Sequence, residues 1–167
     1  MAHARTYYTP LRYPGGKARF APFILGVLER NNLIGGDYFE PYAGGAGIAL
    51  DLLFNGRVAH VHINDYDPAI YNFWKAITQE TSDFLDLLIT TPVTVEQWNK
   101  WRAVLREEVP ASLVERGFAT LFINRTNRSG VLKGGIIGGK QQNGNYKIDI
   151  RFNKEALISR IEKIADN

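Results

Sequence analysis

Phe39-Glu40-Pro41-Tyr42-Ala43-Gly44-Gly45-Ala46-Gly47, followed by Asp65 after Val58-Ala59-His60-Val61-His62-Ile63-Asn64, decides how this chain is read. The pattern is a strand ending in an acid, a glycine loop opening a helix, and a second strand ending in an acid. Glycines let backbone approach a ligand closely, and the first turn of a helix leaves amide donors free to receive it. A carboxylate about 20 residues beyond such a loop suits the two hydroxyls of a ribose. The glycines do not fall in G-x-G-x-x-G spacing, and no Gly-Lys-Ser/Thr follows them. An adenosine cofactor without phosphates fits better, which points to S-adenosylmethionine. Glu40, at the carboxyl end of its strand, is placed to meet an ammonium group; it equally suits a helix amino end. Tyr66 is placed to cover one face of an adenine ring, and it equally suits a core position with its hydroxyl bonded.

Composition sets the bounds. A chain of 167 residues has room for one core of ordinary size and a small excursion. It has no Cys, so no disulfide framework and no thiolate metal site, in keeping with a reducing cytoplasm. No apolar run approaches the roughly 20 residues that span a bilayer, and the residues from Met1 to Tyr8 have no signal-peptide core. His60 and His62 alternate along a strand and read as structural. Charge is unevenly placed. Residues 120–154 carry seven cations against the single acid Asp149, a net +6 in a chain whose total is +3. Arg5, Arg12, Lys17 and Arg19 stand among the first 22 residues without an acid. Such a segment, rich in Gly and amides, suits a polyanion as well as plain solvent.

Periodicity and capping signals predict helices over 18–31, 47–55, 68–78 (opened by Pro68) and 82–90. Two more begin at capping boxes, Thr94 to Gln97 and Ser112 to Glu115, and run to about 108 and 124. Strands are expected at 38–41 and 58–64, a long loop with a hairpin over 128–147, and a last helix over 154–165 capped by Asn153. The β-α-β-α order implies an α/β sheet interrupted by a helical and then basic insertion. A loop of that length inside a compact domain implies a function for it.

The blocks Arg12-Tyr13-Pro14-Gly15-Gly16-Lys17, Glu40 to Gly47, Asn64-Asp65-Tyr66-Asp67-Pro68 and Leu121 to Gly130 occur in one order. In that order the chain resembles the Dam-type DNA adenine methyltransferases, bacterial and phage enzymes that methylate the exocyclic amine of adenine. The resemblance implies a Rossmann-like, S-adenosylmethionine-dependent fold with a target-recognition insertion, and a cytoplasmic, nucleoid-associated protein, solitary or part of a restriction-modification pair. It places the cofactor against Tyr13, Gly15, Gly16, Lys17, Glu40, Pro41, Gly44, Gly45, Asp65 and Tyr66. Together with the basic run it assigns double-stranded DNA to Arg12, Arg125, Asn127, Arg128, Ser129, Lys133, Lys140 and Lys147. Arg128 and Ser129 fall where the family approaches the stack vacated by a flipped base, and Lys133 where a guanine edge is within reach. Dam itself has an aromatic-Asn pair at the Arg128-Ser129 positions, so its GATC specificity does not carry over.

One departure outweighs the matches. The family's catalytic motif is Asp-Pro-Pro-Tyr, whose oxygens accept from the target amine and whose Tyr stacks on the flipped base. No Pro-Pro pair occurs in this chain, and Asp67-Pro68-Ala69 precedes a helix. The expectation is therefore an amino-terminal portion of the enzyme, with an incomplete sheet, no catalytic residue of its own and no activity alone. The division expected is residues 1–90 for the cofactor, 91–153 for target recognition and 154–167 leading back to the sheet. A complementary carboxy-terminal chain is the expected partner. A cofactor-binding half of a split enzyme, a non-catalytic DNA-binding module and a small-molecule methyltransferase are the rival readings; the +6 segment argues against the last.

Overall fold

The structure, a computed structural model, describes residues 8–13 and 16–167. The chain falls into two compact units, residues 8–9 with 16–66 and residues 10–13 with 67–167.

In the first unit a 3-10 turn, Lys17–Phe20, runs into α1 (Ala21–Arg30); β1 (Asp37–Glu40), α2 (Gly47–Phe54) and β2 (His60–Ile63) follow. The strands pair in parallel, from Asp37 opposite His60 to Glu40 opposite Ile63. Parallel neighbours cannot be joined by a tight turn, so α2 serves as the crossover. Strand alternation sends Tyr38 and Val61 inward, against a core of Ala21, Ile48, Leu52 and Val58 that also receives Ile24, Leu25 and Leu28. The other face is open. There Asp37 Oδ1 lies 2.9 Å from His60 Nδ1, and Asp37 Oδ2 lies 3.3 Å from His62 Nε2. Phe39 stacks on the His62 ring at 4.3 Å. The two histidines are thus structural partners of a carboxylate, and their hydrogen bonds hold Asp37 below its ordinary pKa.

The second unit is helical: α3 (Pro68–Gln79), α4 (Thr81–Thr90), α5 (Val95–Leu105), α6 (Leu113–Thr126) and α7 (Lys154–Ala165). Its caps follow the sequence signals. Asp67 accepts from Ala69 N ahead of Pro68, and Asn153 accepts from Ala156 N. The Ser112–Glu115 box is complete in both directions, whereas at Thr94 only the hydroxyl-to-Gln97 half is present. Helix α5 stops at Leu105, short of the expected 108, because the chain turns through a left-handed Glu107 (φ +60°). Helix α6 is enclosed on nearly every side, with Gly117 to Asn124 and Thr126 all buried. Phe118 of α6 takes edge contacts from Phe84 and Trp101, Phe122 tilts against Phe152, and Phe73 meets Phe84 edge-on between α3 and α4. Gly117 permits the closest approach, since a Cβ there would lie 2.6 Å from Ala76 Cβ and 2.9 Å from Asn72 O.

Helices α3 and α4 therefore pack with α6 and α7, and the structural boundary lies after residue 66, ahead of the expected 90. In place of a hairpin, residues 128–147 form a 3-10 turn at Arg128–Gly130 and one antiparallel bridge between Asn127 and Ile136. Gln142 ties the remainder, donating to Ile137 O and accepting from Ile148 N, each at 2.8 Å. Among the described residues no helix is long and apolar enough to cross a membrane.

Candidate cofactor and nucleic-acid sites

The glycine loop folds over the carboxyl ends of β1 and β2. Asn64 N donates to Glu40 O at 3.1 Å and Ala43 N to Asn64 O at 2.9 Å, carrying the parallel ladder one step past the strands. Gly44 then turns left-handed (φ +51°), and its amide donates to Asp65 Oδ2 at 2.7 Å. Ala46, also left-handed (φ +48°), starts α2. Residues 43–46 are buried, and Asp65 is half-buried. The two acids singled out in the sequence thus stand at the ends of adjacent parallel strands, with the glycines between them.

Glu40 is 5% exposed. Oε1 lies 3.4 Å from Lys17 Nζ, and Oε2 accepts from Ala49 N in the first turn of α2 at 3.3 Å. Burial raises its pKa above the ordinary glutamate value, and Lys17 and the Ala49 amide act against that rise. Of the two readings of Glu40, the helix-end contact is therefore realised. Lys17 also donates to Tyr42 O at 3.1 Å. Tyr66 is 89% exposed, which removes the core-aromatic alternative. Gly16 and Pro41 are exposed; Gly15 lies outside the described residues; Tyr13, exposed, belongs to the helical unit. The site offers two carboxylates as acceptors and loop amides as donors, with Lys17 already paired to Glu40. That chemistry suits hydroxyls and a cation better than phosphates.

The basic segment divides into inward and outward groups. Arg125 donates through Nε and Nη2 to Pro10 O. Burial chiefly, with Arg160 and Arg12 adding, brings its pKa down to about 10. Arg12 exchanges backbone bonds with the Asn124 amide, Arg12 N to Oδ1 at 2.7 Å and Nδ2 to Arg12 O at 2.9 Å. Burial and Arg151 lower its pKa. Asn127 is 1% exposed and wholly engaged inside the unit. Of the residues the sequence assigns to DNA, Arg125 and Asn127 have side chains that bond within the helical unit. Arg128, Ser129, Lys133, Lys140 and Lys147 do reach the surface, Lys147 with its ammonium donating to Gln142 O.

Two cations escaped the sequence reading. A cleft of about 450 Å³ is lined by Asp67, Ala69, Arg102, Leu105, Arg106, Leu132 and Lys133. Arg102 on α5 and Arg106 at its carboxyl cap, four residues apart, bring charge from outside residues 120–154 to Lys133. Their i, i+4 spacing was the available signal.

Residues 13–167 match the family of D12 class N6 adenine-specific DNA methyltransferases. The chain belongs to this family. Methylation of adenine in DNA is thus the chemistry of its relatives, and the small parallel sheet with helices is consistent with an α/β fold.

Proposed function

We propose that this D12 chain binds S-adenosylmethionine through its β1-α2-β2 unit and duplex DNA through its helical unit. On this reading its 167 residues bind both without transferring the methyl group by themselves. The carrying observation is the pair of strand-end carboxylates, Glu40 and Asp65, bracketing a buried glycine loop whose Gly44 amide Asp65 already accepts. Asp65 would hold the ribose hydroxyls, Glu40 the ammonium of the methionine moiety, and the open ring of Tyr66 the adenine. Tyr13, Gly15, Gly16, Lys17, Pro41, Gly44 and Gly45 complete the set by family resemblance, and the β1-α2-β2 crossover is read as the start of a Rossmann-like sheet. The cofactor's sulfonium supplies an electrophilic methyl.

DNA would meet Arg128, Ser129, Lys133, Lys140 and Lys147, with the backbone of Arg12 supporting them through Asn124. The family's Asp-Pro-Pro-Tyr acceptors are not among these residues, and positioning the amine supplies much of the rate. Residues beyond these 167, in the same polypeptide or another, would have to provide them. A labelled-methyl transfer assay on adenine-containing duplexes tests this reading. The 167 residues alone should stay at background and gain activity when a polypeptide carrying the Asp-Pro-Pro-Tyr motif is added; turnover by them alone would overturn the claim of dependence. The rival, a non-catalytic DNA-binding module, requires duplex binding with no cofactor binding.

A further inference from the structure

Asn127 stands at the carboxyl end of α6, buried, in the midst of the exposed residues assigned to DNA. Its side chain uses every polar atom. Oδ1 accepts from Trp98 Nε1 of α5 at 2.8 Å. Nδ2 faces three carbonyls of one loop: Val131 at 2.9 Å, Leu132 at 3.2 Å and Gly134 at 3.0 Å. The backbone of the same residue accepts from Gly130 N and bridges to Ile136. One turn earlier Asn124, also buried, joins Gly130 O and Arg12 O through its own Nδ2. The loop so gathered holds a left-handed Ser129 (φ +55°), a conformation that a free serine avoids. A Cβ on Gly130 would collide with Arg12 O at 2.2 Å, so the loop sits flush on Arg12. Among the described residues no other polar side chain reaches three loop carbonyls, and those three lie within residues 131–134.

We infer that Asn127, latched by Trp98, is a positioning residue for DNA recognition: it presets the 128–134 loop so that Arg128, Ser129 and Lys133 face the duplex together. The inference rests on the proposed DNA-binding role of that loop. Its physical basis is that a charged side chain contributes fully only when its backbone is already in the binding pose. A loop that must order on contact loses affinity to that ordering. Trp98 lies on a different helix and its ring carries the Arg102 guanidinium at 4.8 Å, so the latch fixes the loop relative to the cations of α5 as well.

The test uses the full chain and a fluorescein-labelled adenine-containing duplex, with affinity measured over a salt series. Asn127→Leu removes no charge. It should nonetheless weaken binding about tenfold or more and flatten the slope of log K against log salt by about 1 to 2, as if one or two phosphate contacts had been deleted. Because Asn127→Leu strands the Trp98 N–H, the double variant Trp98→Phe/Asn127→Leu is included. It removes that orphan, should recover most of the lost melting temperature, and should leave the binding defect in place. Hydrogen exchange without DNA should show protection lost at residues 128–137 and kept in α6. If the wild-type chain binds no duplex, the DNA-binding reading itself fails and this inference with it. If wild type binds and the folded double variant matches it in affinity and slope, the positioning role alone is overturned.

Discussion

The two units solve the burial problem in opposite ways. In the helical unit a cluster of large rings is inside: Phe73, Phe84, Trp101, Phe118 and Phe122 are all at most 1% exposed, the first four meeting edge to face and Phe122 tilted against Phe118. In the β1-α2-β2 unit only Tyr38, among the described rings, packs against the core, and Phe20, Phe23, Phe39, Tyr42 and Tyr66 lie on the surface. A two-stranded parallel sheet covered by α1 and α2 has only one face to bury, and its core is small and aliphatic. The contrast teaches where stability and where ligand chemistry reside. The helical unit supplies rigidity, while the strand unit keeps a glycine loop, two acids and open aromatic faces for something else to cover.

That division is broken most sharply by ring deletion. Phe118→Ala should cost about 3–5 kcal/mol in denaturant unfolding. Phe39→Ala, on the open sheet face, should stay within about 0.5 kcal/mol. Equal losses would mean that the strand unit is as tightly packed as the helical one. Next in size is a pair of glycines. Gly117→Ala drives a methyl into Ala76 and Asn72 and should cost about 1–3 kcal/mol. Gly26→Ala, within α1 and with nothing inside 4 Å of its added methyl, should gain about 0.5–1 kcal/mol by helix propensity. Calorimetric melting of both variants decides whether crowding belongs to the helical unit alone.

The smaller effects are pH-dependent. Burial raises the Glu40 pKa above its unfolded value, so protonation favours the folded state. The stability that it contributes is fully present below the ordinary glutamate range and lost as pH rises through the raised value. Glu40→Gln escapes that loss. Its melting temperature should therefore gain on wild type as pH is raised from about 4 to 7, relative to a glutamate reference near 4.3. A gap that narrows instead would show that the Lys17 and Ala49 contacts outweigh burial. Asp37 behaves oppositely and weakly. Its pKa is lowered by His60 and His62, so its contribution is present above the ordinary aspartate value and disappears as pH falls through the lower one. Asp37→Asn should abolish that small acid-side decline, as followed by circular dichroism.

Much of this was legible beforehand because caps, prolines and glycine spacings act locally. Asp67-Pro68, Ser112 with Glu115, and Asn153 each begin a helix where the residues indicate. The loop between Glu40 and Asp65 was equally readable, since glycines at a strand-to-helix turn have few other uses. Charge was less informative than burial. Arg125 and Asn127 counted toward a basic, amide-rich segment, yet α6 is enclosed on nearly all sides and turns them into the unit. A polar residue one helical step from Ile123 in an apolar run has to find partners inside, and those partners, Pro10 and Trp98, lie far away in sequence. Arg102 and Arg106 were missed for the converse reason, because tertiary packing brings α5 beside Lys133.

The most direct measurement for the central claim is a calorimetric titration of S-adenosylmethionine into the wild-type chain, Asp65→Ala and Arg128→Ala. The account predicts binding by wild type, equal binding by Arg128→Ala on the DNA side, and an affinity about 10–100-fold weaker for Asp65→Ala, matching hydroxyls left without an acceptor. Wild-type and Asp65→Ala curves that superimpose, or a loss confined to Arg128→Ala, would contradict it.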